Sequence, residues 1–417
     1  MKRLVFVRRV VRASIAIFGL VVVIGFPSPA SAADIHVNTT NDYHMGNCIL
    51  TCSLRDAILI ANDNGEDDTI HVPAGHYSLT IPPGPIHAGT TGDLWIDSVD
   101  MVWIVGEGPG VTVIDGNAID RVLYIRAFNG GTALLQGLTI MGGTSPVGSG
   151  GGIFNWDASL WIISCEITGN HVTDPSRQGG GIFNQEGSLH IYDSVISNNS
   201  SGGEAGGLYL GPGSSNIIVR TTIDHNHAAS VGGVLTEGVS DFYNVTIYYN
   251  SAEDNIEGIR NTRTATLHHC TLVQGSALTD VAISCTGLLD VITLRNTIVW
   301  GACDVYEMTI DAQQGNIEYG DTCYMDYGDY ANAGASGVGV YGFGYNGGAV
   351  PTMKIYDSSL GNDNQWTTTY LLEQDARFVS RPVGTYGDSG AYELVPGEVF
   401  SHRFENGYTT GWSDTAR

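Results

Sequence analysis

The middle of this chain repeats itself. Gly150-Gly-Gly-Ile-Phe-Asn155 returns as Gly179-Gly-Gly-Ile-Phe-Asn184, and weaker copies follow as Gly206-Gly-Leu-Tyr, Gly232-Gly-Val-Leu and Gly258-Ile-Arg-Asn. A second series keeps step with the first: Ile140, Ile167, Ile196, Ile223, Ile247, Leu272 and Ile298, at spacings of 27, 29, 27, 24, 25 and 26. Three residues after four of these anchors stand Asn170, Asn199, Asn226 and Asn250. A sustained period of this length marks a unit that cannot bury its apolar face alone and does so by stacking on the next copy.

Between anchors, apolar and polar residues alternate, as in Leu189-His-Ile-Tyr192 and Val291-Ile-Thr-Leu294, which is the two-residue period of a strand. No segment of the repeat has a helical period, and the fixed leucines of leucine-rich repeats are absent. Gly is 56 of 417 residues and charged residues are 15%, a balance that disfavours helical bundles. The expected fold is all-β: a right-handed parallel β-helix over residues 71–310, with a short N-terminal capping helix and a C-terminal cap. Gly and Asn suit the left-handed turns of such coils, and stacked Asn side chains hydrogen-bond from coil to coil.

The register assigns faces. Two residues before each anchor, Cys165, Ser194, Thr221, Val245, Cys270 and Asn296 should point inward. Cys165 and Cys270 then lie four coils and ~19 Å apart, beyond disulfide reach. One residue before each anchor, Thr139, Glu166, Val195, Thr222, Thr246, Thr271 and Thr297 should form an outward strip. It reads as a solvated β face, with a polysaccharide-binding surface as the alternative.

Solenoid ends need caps. Within residues 33–70, Ser53-Leu-Arg-Asp56 has the form of a capping box, and Leu54, Ala57, Ile58 and Ala61 make one apolar helical face. The acidic stretch Asp63 to Asp68 reads as a solvated loop, with calcium binding as the alternative. In the cap expected over 311–394, Asp375, Arg377, Arg381, Asp388 and Glu393 should form locking ion pairs, and 395–417 is a tail.

Residues 1–32 have the order of a signal peptide: Lys2, Arg3, Arg8, Arg9 and Arg12, an apolar run from Ala13 to Phe26, then Pro27, Pro29 and Ala30-Ser31-Ala32. Cleavage is expected after Ala32, an uncleaved anchor being the alternative. No transmembrane span is expected after cleavage, so the protein should be secreted, extracellular or held at the outer cell surface. In that compartment seven cysteines read first as disulfides. Cys48 with Cys52 and Cys303 with Cys323 are the candidate pairs, and Cys165, Cys270 and Cys285 are expected to be buried. Zinc is the competing reading at Cys48 and Cys52, although no second ligand pair accompanies them. A net charge of -25 argues against nucleic acid as a partner.

Cys52-Ser-Leu-Arg-Asp-Ala57, with Asn62 and Asp68-Thr-Ile70, resembles the CSLREA domain of exported bacterial proteins, with Asp56 where that motif has Glu. The Gly-Gly-Gly-Ile-Phe-Asn coils resemble the right-handed β-helix of polymorphic outer-membrane-type and pectate-lyase-like proteins. Asn296-Thr-Ile-Val299, Gln374-Asp-Ala-Arg377, Arg381-Pro382 and Gly390-Ala-Tyr-Glu393 resemble the choice-of-anchor Q domain, and Phe404-Glu-Asn-Gly407 with Trp412-Ser413 is similar to a tail of secreted Gram-negative proteins. These resemblances imply a secreted or surface-displayed protein and carry over no catalytic residue.

Thr222-Ile-Asp-His225 resembles a stretch of pectate lyases, which makes Asp224 a calcium-ligand candidate with His225 and Arg220 beside it. The competing reading is a solvated turn, and His225 with His227 is too short a pattern to define a metal site. The outward positions that follow Asp224 in the next two coils, Tyr248 and Val273, are neutral, so further acids would have to come from Glu253, Asp254 and Glu257. The clustered aspartates of a polygalacturonase-like hydrolase are missing. No cofactor is expected, with calcium as the alternative. The functional expectation is a non-enzymatic adhesive or glycan-binding scaffold whose partner is an extracellular polysaccharide or cell-surface glycan. The alternative is a calcium-dependent lyase or a glycoside hydrolase acting on an acidic polysaccharide.

Overall fold

The computed structural model describes residues 33–84, 89–97, 99–126, 130–254, 256–274, 280–285, 291–305, 309–313, 315–320, 322–323, 329, 340–346, 348–355, 374–381 and 390–391. The expected leader, its cleavage site, the tail, Asp388 and Glu393 lie outside them. The described residues wind into stacked coils whose strands pair in parallel with the coil before and after. Eleven strands, from Ala33–His36 to Thr309–Ala312, make a first sheet. Ten, from Gly75–Ser78 to Ile317–Glu318, make a second, and nine, from Leu94–Ile96 to Ala302–Val305, make a third. Five two-residue strands, from Thr144–Ser145 to Ser251–Ala252, close a corner between the second and third sheets. Strand pairing therefore runs to both sides of residues 71–310, and the solenoid fold expected from the repeat is the fold observed.

The core follows from the anchors. Ile140, Ile167, Ile196, Ile223, Ile247 and Leu272 pair in register and are fully buried. The seventh member is corrected: Leu272 pairs with Val299, and Ile298 pairs with Thr271. The corner decides this. Ser164, Asp193, Arg220, Asn244, His269 and Asn296 all hold a positive φ, and each anchor lies three residues beyond its corner. Asn296 is thus a corner residue, Thr297 takes its inward place and donates to the carbonyl of Leu267, and Ile298 replaces Thr297 on the outward strip.

Asn170, Asn199, Asn226 and Asn250 form a buried ladder, each amide donating to the carbonyl oxygen of the next at 3.0 Å. Gln274 extends it by accepting from the backbone amide of Asn250. A second buried ladder, Asn155 to Asn184 to Asn216, runs from third-sheet strands to the first-sheet strand Ser215–Val219. The glycines that precede the third-sheet strands have the neighbouring coil's backbone in place of a side chain: a Cβ on Gly180 would lie 2.3 Å from the carbonyl oxygen of Ser200.

The N-terminal helix spans Leu54–Asp63. Ser53 caps it by accepting from the Asp56 amide, and Asp56 in turn accepts from Met45 and Gly46 amides. Leu54, Ala57, Ile58 and Ala61 are buried against the first coils. Arg55 is buried too, paired with Asp42 at 2.7 Å and donating to the carbonyls of Gly89, Gly92 and Asp93. Cys48–Cys52 and Cys303–Cys323 are disulfides, with Cα atoms 4.3 and 5.0 Å apart, which removes the zinc reading of the first pair. Cys165, Cys270 and Cys285 are buried and lie outside both disulfides.

The Thr-rich strip is not a solvated face over its C-terminal half. Thr222 donates to the carbonyl of Pro351, the Ala391 amide donates to Thr271 at 3.0 Å, and Ile298 packs with Val273, Ile317 and Met353. An antiparallel hairpin, Val340–Gly344 with Thr352–Ile355, belongs to this cover. In the cap, Asp375 and Arg377 form the expected ion pair at 2.7 Å, fully buried. Arg381 meets His269, Asn244 and the carbonyl of Gly390. No helix among the described residues is long and apolar enough to cross a membrane.

Candidate functional site

Asp224 ends the second-sheet strand Thr222–Asp224, where it follows Ser197 and precedes Tyr248 and then Val273 in register. Its carboxylate is buried, not in a solvated turn. One oxygen lies 2.7 Å from Nδ1 of His225, and the other meets no partner among the described residues. Burial pushes the carboxyl above its ordinary range, against the pull of His225. His225 occupies a positive-φ corner and sits among Tyr248, Tyr249 and Phe343. Two coils away on the same face, Glu166 is also raised, first by burial and then by repulsion from Asp224, while the hydroxyl of Thr139 donates to it at 3.3 Å.

The structure does not bring Arg220 to this pair. Arg220 lies at the opposite end of the strand, roughly 13 Å away along the backbone. It is bidentate to Asp193 of the preceding coil, at 2.6 and 2.8 Å, with its guanidinium 4.5 Å from the centre of the Phe378 ring. The backbone amides of Glu253 and Asp254 donate to the carbonyls of Ala228 and Ala229, and Glu257 lies in a third-sheet strand. His227 pairs with Ser251. Calcium takes six to eight oxygen ligands, and among the described residues no three His, Cys, Asp or Glu side chains gather as a metal site. In the Asp63 to Asp68 stretch, Asp67 accepts from the Met101 amide and Asp68 from Asn64.

A better-formed recess lies on the outward face of the third sheet. Trp95, Tyr124, Phe154, Phe183 and Tyr209 occupy one register position in successive coils. The last four stack nearly parallel, with ring centres 4.9, 5.1 and 4.7 Å apart. The Tyr209 hydroxyl donates to Glu237. Trp156, 43% exposed, stands beside the column with Arg126 5.9 Å from its ring centre. Val147, Ser149, Arg177 and Gln178, from turns next to the corner strands, form the facing wall of a groove of about 350 Å³. At one end Arg121 lies 5.3 Å from both the Tyr124 and Phe154 rings, donates to the carbonyl of Ser149, and pairs with Asp93 at 2.8 Å. Burial lifts the Asp93 carboxyl to about 7, although Arg121 opposes it.

Repeat spacing alone did not mark this groove. Phe154 and Phe183 stand inside the repeated Gly-Gly-Gly-Ile-Phe-Asn motif, and the aromatic residues at the same place in the coils before and after were the available signal.

Residues 103–276 match the family model of the right handed beta helix region. No curated protein matches the chain. Among solved structures, the chain is similar to the pectin methylesterase from Aspergillus niger in deglycosylated form, at 10% identity and a TM-score of 0.36, over 73% of this chain and 91% of that one. It is similar to pectate lyase Pel9A at 14% identity and a TM-score of 0.33, over 87% and 97%. It is also similar to the Dettilon tailspike protein at 10% identity and a TM-score of 0.30, over 66% and 62%.

Proposed function

We propose that this right-handed β-helix protein acts outside the cell as a non-catalytic glycan-binding scaffold. The observation that carries the proposal is the third-sheet groove, where exposed Trp156 and a stacked aromatic column are bordered by Arg121, Arg177 and Gln178. An apolar floor with a few polar groups at its rim suits a sugar, whose ring faces are apolar and whose edges carry hydroxyls. The second-sheet face supports chemistry less well. A lyase needs a base and a charge-neutralising group converging on one sugar carbon, whereas Arg220 is committed to Asp193 at the other end of the strand from Asp224.

The order of residues 1–32 supports export, with the mature chain beginning at Ala33. Arg55 and Asp56, both buried and fully engaged at the first coil, support reading the Cys52-Ser-Leu-Arg-Asp segment as a CSLREA-type cap. The Asp375–Arg377 pair and Arg381 give the same support to a choice-of-anchor Q-type closure.

A glycan-array screen of the protein and of Trp156→Ala, with an ultraviolet assay for unsaturated products from polygalacturonate and alginate in calcium, tests the reading. Binding that weakens in Trp156→Ala, without product, is expected. Turnover abolished in Asp224→Ala would replace the scaffold by a lyase, and an array without signal would also overturn the reading.

A further inference from the structure

The groove carries more information than a sugar-sized shape. Residues 33–417 contain 13 basic side chains against 43 acids, yet three arginines meet here: Arg121 at one end, Arg126 against Trp156, and Arg177 on the facing wall. Their engagement differs. Arg121 is held by Asp93 at 2.8 Å, whereas Arg177 is half exposed and its contact with Asp174 is 3.8 Å long. Acids stand behind these arginines, Asp93 beside Arg121, Asp97 near Arg126 and Asp174 beside Arg177, but the described residues that line the groove itself include Arg121 and Arg177 and no acid. Glu237 and Glu204 engage Tyr209 and Arg260.

Resting on the glycan-binding reading, we infer that the third-sheet groove selects a polyanionic glycan, a chain bearing carboxylates or sulfates, which stacks a sugar on Trp156 and sets an anionic group against Arg177 and Arg121. Overall charge is the obvious objection, since a chain of -25 repels a polyanion. At physiological ionic strength, however, exposed charges more than ~8 Å apart are largely screened, so the groups lining the groove decide. Arginine suits the task, because its planar donors match a carboxylate or sulfate and also stack on aromatic rings. Exposed Trp156 and Val147 offer apolar contact to a sugar face, which a free small anion cannot use and an anion attached to a sugar can.

Calorimetric titration of the full chain with dextran, dextran sulfate and polygalacturonate tests this. Binding to one or both polyanions and not to dextran is expected, and the two polyanions separate sulfate from carboxylate recognition. Affinity should fall at least tenfold between about 50 and about 500 mM NaCl. Arg177→Gln should lower it about tenfold, the size of one charge-assisted contact, while leaving the melting temperature unchanged because the side chain is half exposed. Trp156→Ala should lower affinity as well. Equal, salt-insensitive binding of dextran would overturn the inference and leave the glycan-binding reading standing. Polyanion binding unaffected by both variants would place the site elsewhere and overturn the inference, and no binding to any probe would overturn it while the glycan-array screen decides the wider reading. Concentration-dependent self-association that Trp156→Ala abolishes would make a second copy of the chain the occupant and overturn the inference too.

Discussion

Arg381 sets one guanidinium nitrogen 2.6 Å from Nδ1 of His269, a corner residue 112 positions earlier in the chain. The same guanidinium donates to Asn244 and to the carbonyl of Gly390, so one side chain joins two coils to the covering segment. Removing it leaves buried acceptors without donors, at about 1–3 kcal/mol each. Arg381→Met should therefore lower stability in urea by about 2–4 kcal/mol. Hydrogen exchange should quicken at Ala391, whose amide donates to Thr271. Unchanged exchange there would show that other contacts hold the segment.

Asn199 donates to Ile167 and Asn226 and accepts from Asn170, all in the buried ladder. Asn199→Leu should cost about 2–4 kcal/mol, because several interior polar groups lose partners at once. Ile196→Asp, three residues earlier, should cost more, about 4 kcal/mol or above, because it puts an unpaired charge in the core. Equal melting of Ile196→Asp and the parent would show that this column does not face inward.

The Cys303–Cys323 bridge closes a loop with a sequence separation of 20 near the C-terminal end of the coils. Breaking it by Cys303→Ser and Cys323→Ser should cost about 3 kcal/mol by loop-closure entropy. Burial pushes the Cys165 and Cys270 thiols up to about 12, and Cys285 is equally buried. A thiol reagent should find no reactive cysteine in the native protein and three after denaturation. Native labelling of Cys165 or Cys270 would contradict their burial.

Several carboxyls titrate above their ordinary range. Burial lifts Asp93 to about 7, burial and then Asp280 lift Glu257 to about 7, and burial raises Asp224, Glu166, Asp241 and Asp68. Between the unfolded value near 4 and the raised folded value, the native state holds more protons, so stability falls as pH rises through that window. Urea midpoints should be higher near pH 5.5 than near pH 8. Asp93→Asn should shrink that difference, and an unchanged slope would place its titration elsewhere.

Much of the architecture could be read from the chain because its causes are local. The repeat period set the coil, the Asn residues after each anchor marked the ladder, and Ser53 with the apolar face of residues 54–61 marked the helix. Even the misassigned seventh anchor was decided locally: Ile298 and Val299 are both apolar and β-branched, and the corner residue Asn296, three before Val299, distinguishes them.

What only the tertiary structure decided is which outward faces are covered and which partners the charged groups choose. A two-residue alternation tells inside from outside but treats all outward faces alike. The Thr222 to Thr271 strip is covered by residues more than a hundred positions away that carry no repeat. Arg220 sits four residues from Asp224 in sequence, but a strand separates the two while coil stacking brings Asp193, 27 residues off, within 2.6 Å. The aromatic column arose in the same way, from side chains of separate coils that stacking places about 5 Å apart. Sequence spacing governs contacts within a coil, and the stacking of coils governs contacts between them.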